Sequence, residues 1–124
     1  MASYQDKLGA ARNTHLLVDW HSKAEHGLEQ YTKENCAGAQ KIIDDLIARL
    51  VAIGETADEN AKIKQFEIAV VALNMFNDKA DGCFIETGER EDLCPLFDRI
   101  AEAAGLDPQN YGGGEGVASE WRDW

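Results

Sequence analysis

One run constrains what this chain can fold into: Phe66-Glu67-Ile68-Ala69-Val70-Val71-Ala72-Leu73-Asn74-Met75-Phe76. Wound at 3.6 residues per turn, it places Phe66, Val70 and Leu73 on one side and Ile68, Val71 and Met75 on the opposite one. Ala69, Ala72 and Phe76 fill a flank, leaving Glu67, Asn74 and Asp78 as a narrow polar strip. A helix apolar over most of its circumference has to be covered on more than one side. No segment reaches the ~18 consecutive apolar residues of a membrane span. The expected fold is therefore all-α. It is a small single-domain bundle of about four main helices with this one at its centre, plus a short C-terminal Trp-containing helix or extension.

At 124 residues the chain matches one ordinary domain, and its 44% hydrophobic content supplies a core. Its 23 acids against 12 bases give a net charge of -11. The excess is concentrated towards the end, with ten acids and three bases from Glu86 to Trp124. Such a field repels nucleic acid and anionic membrane, and favours basic partners or simply a well-solvated surface. Cys36, Cys83 and Cys94 are odd in number, widely spaced and without a CxxC pair, which points to reduced thiols rather than a disulfide framework. The opening Met-Ala-Ser-Tyr-Gln-Asp-Lys has no apolar core of a signal peptide. A cytoplasmic protein of bacterial style is expected.

Along the chain, residues 1 to about 12 lack an apolar stripe and read as a loose arm. A helix over Thr14–Lys33 follows, with Leu17, Trp20, Ala24, Leu28 and Tyr31 on one face. Asn35-Cys36-Ala37-Gly38 reads as a break before a second helix ending at Ile53. Gly54 suits its C-terminus. Thr56-Ala57-Asp58-Glu59 has the form of a capping box for the central helix, expected over Ala57–Asp78. A connection this short makes the two helices antiparallel neighbours. Cys83-Phe84-Ile85 reads as an extended plug at the bundle end. A last helix begins near Thr87, kinked or split at Pro95, and stops at Gly105. Tyr111 to Gly116 reads as a flexible glycine hinge. Beyond it, Val117, Trp121 and Trp124 have helical spacing and form a tail expected to dock.

Candidate chemistry is sparse. His15, His21 and His26 all fall in the first expected helix, and His21 with Glu25 has the spacing of a metal-binding pair. His15 and Asp19 share that spacing but lie opposite the apolar face. His15 and His26 are about 16 Å apart along a helix, too far to share an ion. The strip Glu67, Asn74 and Asp78 is the other candidate, as a small ligand or metal site between helices. No cysteine has a basic sequence neighbour to lower its pKa. The glycine run lacks the Lys-Ser/Thr of a phosphate loop. No cofactor and no metal is assigned.

The acidic last third remains, with Glu89, Glu91 and Asp92 as contact residues and Trp121 and Trp124 as anchors. Small size, acidity and helicity resemble the bacterial immunity proteins, which neutralise a toxic nuclease. The likeness is one of class. It implies a non-catalytic protein-binding module, immunity- or inhibitor-like towards a basic partner. The alternatives are a homodimer joined through the Trp tail, and a helical-bundle metal or ligand protein built on His21/Glu25 or Glu67/Asn74/Asp78.

Overall fold

The computed structural model describes residues 3–11, 33–79, 85 and 87–124. Within them lie four α-helices and no strand: α1 (Tyr4–Ala11), α2 (Lys33–Ile53), α3 (Glu59–Lys79) and α4 (Thr87–Ala103), followed by three 3-10 turns. The chain is a small all-α bundle. The helix expected over Thr14–Lys33, with its three histidines, lies outside the described residues apart from Lys33.

The arm expected to be loose is helical from Tyr4 onward. Ser3 and Asp6 cap it reciprocally: the Asp6 N–H donates to Ser3 Oγ (3.1 Å), and the Ser3 N–H donates to Asp6 Oδ2 (3.4 Å). A single residue, Leu8, is fully buried, so no apolar stripe advertises the helix. It packs on α2 and α4.

The break expected at 35–38 is absent, and α2 runs through it. A Cβ on Gly38 would stand 2.5 Å from the Phe76 ring, so the glycine serves as a close approach of α2 to α3. Eleven residues on, Arg49 donates to the Gln65 side chain (3.0 Å) and main-chain carbonyl (3.3 Å) rather than pairing with Asp45. Residue numbers in both contacts add to the same value, which fixes the antiparallel register. Gly54 ends α2 in the left-handed region (φ 88°). The cap of α3 is Asp58, whose Oδ1 accepts from the Ala61 N–H (2.7 Å); Thr56 does not cap it.

One face of α3 carries the core: Phe66, Ala69, Val70 and Leu73 are buried against Ile43, Leu46 and Leu50 of α2 and Leu93, Leu96, Phe97 and Ile100 of α4. Phe66 and Phe97 meet edge to face, with centroids 6.5 Å apart. As expected of the central helix, α3 is covered on more than one side, by α2 and by α4, but the side of Ile68, Val71 and Met75 is not. Ile68, Val71 and Met75 are exposed, at 42%, 41% and 58%.

Polar side chains occupy both ends of that buried face. Lys62, 7% exposed, donates to the carbonyls of Glu55 (2.7 Å) and Ala104 (2.8 Å). Its ammonium also sits 5.6 Å from the centroid of the Tyr4 ring. Those carbonyls lie just past the C-termini of α2 and α4, where unpaired oxygens and the helix dipoles favour a cation. At the other end, buried Asn77 accepts from the Ile85 N–H (2.8 Å), so Ile85 does plug the core ahead of α4.

Helix α4 is one element across Pro95, not two. Pro95 and Glu91, whose carbonyl loses its usual donor, are both on the exposed side of the helix, so the missing bond does not fall in the core. Gly105 (φ 89°) closes the helix: Leu106 N–H donates to Ala101 O (2.9 Å) and Gly105 N–H to Glu102 O (3.0 Å). Asp107 then caps a 3-10 turn through the Gln109 N–H, with Pro108 at its start.

The glycine run is a built turn rather than a hinge. Gly114 and Gly116 donate to Tyr111 O (3.1 and 3.2 Å), and Glu115 donates to Gly112 O (3.1 Å). Gly116 has φ 117°, and a Cβ there would stand 2.7 Å from both Asp98 carboxylate oxygens. Gly116→Ala should therefore lower unfolding stability by roughly 1–3 kcal/mol, measured by urea titration. An unchanged midpoint would show that the turn does not need its glycine.

Candidate functional site

The acidic residues of the last third do not scatter evenly once folded. Asp98 and Glu102 stand four apart on α4, and Glu91 lies seven residues before Asp98 on the same helix face. Asp107, Gln109, Gly114, Glu115 and Gly116 fold back beside them. Together these elements enclose a cleft of about 270 Å³ whose lining includes four acidic residues, Asp98, Glu102, Asp107 and Glu115. No lysine or arginine is among the described lining residues.

Asp98 is the structural member of that set. Its Oδ1 accepts from the Val117 N–H (3.1 Å), which holds the start of the tail to α4. Burial pushes its carboxyl above the usual range and nearby Glu102 adds to this, while the Val117 hydrogen bond acts in the opposite sense. Beside the cleft, Tyr111 donates its O–H to Glu59 at the start of α3. Its phenol is pushed up to about 12, by burial first and by Glu59 second, and so stays protonated.

A second cavity, of about 380 Å³, shares Asp107 and includes Glu59, Lys62, Gly105 and Asn110. Lys62 is already committed to two carbonyls and an aromatic face there, so the cavity offers no free amine nucleophile. Burial raises the Cys94 thiol, and Asp98 adds to this against Arg122 and Arg90, leaving the sulfur poorly nucleophilic. Among the described residues no group of three or more His, Cys, Asp or Glu could hold a metal ion.

The residues singled out from sequence fare differently. Glu91 and Asp92 are exposed on α4, and Glu89 lies in its first turn. Trp124 is 8% exposed and belongs to the core cluster, and Trp121 is half-buried against it, so both are taken up largely by the bundle itself. Of the short helix or extension expected for the tail, the structure has an extension with one 3-10 turn at Ala118–Glu120. Arg122 Nη1 donates to Trp124 O (2.9 Å), and its guanidinium lies 5.9 Å from the Trp124 ring centroid.

None of the cavities among the described residues is lined by Glu67, Asn74 or Asp78. Asn74 is used as a peptide mimic, its amide donating to Trp121 O (2.9 Å) and its Oδ1 accepting from the Asp123 N–H (3.1 Å). Glu67 pairs with Lys64 at 3.3 Å, and Asp78 is exposed. His21 and Glu25 lie outside the described residues. Sequence reasoning missed the convergence of Asp98, Glu102, Asp107 and Glu115. The Asp98/Glu102 spacing was visible, but the fold-back that brings Asp107 and Glu115 to it depends on Gly105 and Gly116.

No family model, no curated protein and no solved structure matches the chain.

The folded carboxyl of Asp98 is raised above its unfolded value near 3.8. A raised acid contributes stability below the unfolded pKa and loses it as pH rises through the folded pKa. Asp98→Asn, which keeps an acceptor for Val117, should leave the melting temperature unchanged near pH 3 and raise it near pH 7. A lower melting temperature at pH 7 would contradict this.

Proposed function

We propose that the protein is a non-catalytic acidic module that captures a basic protein, with an immunity- or inhibitor-like partnership as its sharpest form. The observation that carries this reading is the cleft, lined by four acidic residues and by no lysine or arginine among its described lining, on a chain of net charge -11. Like charges held at one place repel one another, and a docking Lys or Arg relieves that repulsion. Glu91 extends the same acidic face along α4, Asp92 adds a carboxylate on the adjoining side of the helix, and both steer a basic partner towards the cleft. The two tryptophans contribute chiefly to holding the tail that forms one wall of the cleft, with the exposed part of Trp121 left for contact. A cytoplasmic setting suits three cysteines without a disulfide framework, and no described helix is long and apolar enough to cross a membrane.

Two sets of reversals test the reading. The first is Glu102→Lys with Glu115→Lys in the cleft. The second is Glu89→Lys with Glu91→Lys and Asp92→Lys on α4. A cationic helical peptide rich in Lys and Arg serves as probe, titrated by fluorescence anisotropy. The wild type should bind with an affinity that falls as salt rises. The cleft pair should weaken binding by about tenfold or more, the size expected when a contact worth 1.4 kcal/mol is lost. The α4 set should act mainly on the association rate. Equal binding by all three proteins, with unchanged thermal melts, would overturn the reading.

A further inference from the structure

The exposed face of α3 lies apart from the acidic cleft and has a different composition. Ile68, Val71 and Met75 stand on it at 42%, 41% and 58% exposure, in a line at i, i+3 and i+7. Exposed Lys64 and Lys79 and the acids Glu67 and Asp78 frame this apolar line, so the face is electrically neutral on a chain of net charge -11. A second copy of so acidic a protein is repelled from most of the surface and least from here.

The order of residues along α3 is self-complementary. Lys64 and Asp78 each lie seven residues from Val71, on opposite sides, or about 10 Å along the axis. Placing two copies of α3 antiparallel about a two-fold axis at Val71 sets Lys64 level with Asp78 of the second copy, twice over. In the same arrangement Val71 meets its own counterpart, and Ile68 comes level with Met75 to within about 1.5 Å. Wound at 3.6 residues per turn, Val71, Lys64 and Asp78 fall on one side of the contact line and Lys79 on the other, which keeps the Lys79 pair away from Lys64.

From this match of apolar line and charge order we infer that α3 pairs with α3 of a second copy. The result is a two-fold dimer through Ile68, Val71 and Met75, flanked by two Lys64–Asp78 pairs. The apolar centre is small, which places the contact in the class of weak interfaces burying less than about 1,200 Å² in total. The association is accordingly concentration-dependent. It leaves the cleft between α4 and the tail open on both copies.

The test is sedimentation equilibrium of the full chain from micromolar to millimolar concentration, in salt sufficient to screen the net charge. Wild type should pass from monomer to dimer and form nothing larger. Val71→Glu, which sets two carboxylates against each other at the axis, should weaken dimerisation by about tenfold or more. Lys64→Glu alone and Asp78→Lys alone should each weaken it, and the double exchange should restore it, since the exchanged charges again face one another. Thermal melts of the four variants should match wild type, because all three positions are exposed. A chain monomeric throughout, a Val71→Glu variant that associates like wild type, or a double exchange that fails to restore would overturn the inference. So would a monomer whose melting temperature falls on Val71→Glu, because the face would then be covered within the chain.

Discussion

The bundle is assembled around one ammonium group. Lys62 projects from the first turn of α3 into a site where α2 and α4 both end and α1 begins, and it bonds a carbonyl from each of the two ends. Helix C-termini leave their last carbonyls without partners, and two of them brought together would repel each other. A cation between them answers both problems. It also explains how three helices can converge at one end of a core that is otherwise Phe, Leu, Ile, Val and Ala. The other irregular parts are secured from α3 in the same way. Asn77 holds the entry to α4, and Asn74 holds the tail by acting as one more peptide group. The central helix thus supplies the apolar face and also the polar contacts that fix the segments around it.

The acidic cleft is a consequence of that arrangement and works against it. Gly105 turns the chain back, and Gly116 lets the tail backbone lie against the Asp98 carboxylate. The tail is fixed by this contact, but Asp98 is drawn into a partly buried place beside Glu102, and its carboxyl resists ionisation. The proposed capture of a cationic partner would relieve the repulsion among the acidic residues that line the cleft. The neutral apolar line on α3 points elsewhere, towards self-association on a surface that the cleft does not use.

Much of the helical layout was legible, because helix stops are local chemistry. Gly54 and Gly105 both adopt the left-handed conformation that only glycine takes readily, and both end helices where the sequence indicates. Gly38 is the same residue in a different role, and only the Phe76 ring across the interface distinguishes a break from a contact. Thr56 and Asp58 are overlapping capping signals, and the structure uses the second. The face of Phe66, Val70 and Leu73 is buried as its spacing implies, whereas that of Ile68, Val71 and Met75 is not. Hydrophobicity states what a side chain prefers, not whether a neighbour is there to cover it. Lys62 and Asn77 were overlooked although both fall on the line of Phe66, Val70 and Leu73, where a polar residue is itself a signal. The candidate site was legible only as an excess of acid. Which carboxylates converge depends on a turn built from glycines that composition alone suggests are flexible.

The most direct test of this account is the unfolding free energy of Lys62→Met, measured by urea titration against the wild type. Methionine keeps most of the side-chain volume and removes the charge, so packing is nearly conserved while two carbonyls lose their donor. Each buried polar group left unpaired costs roughly 1–3 kcal/mol, so a loss of about 2–4 kcal/mol is expected with an unchanged denaturant slope. Buried charges in some proteins are replaced by apolar residues without harm. If Lys62→Met is as stable as the wild type or more so, the ammonium is not what holds the helix ends together, and the account fails at its centre.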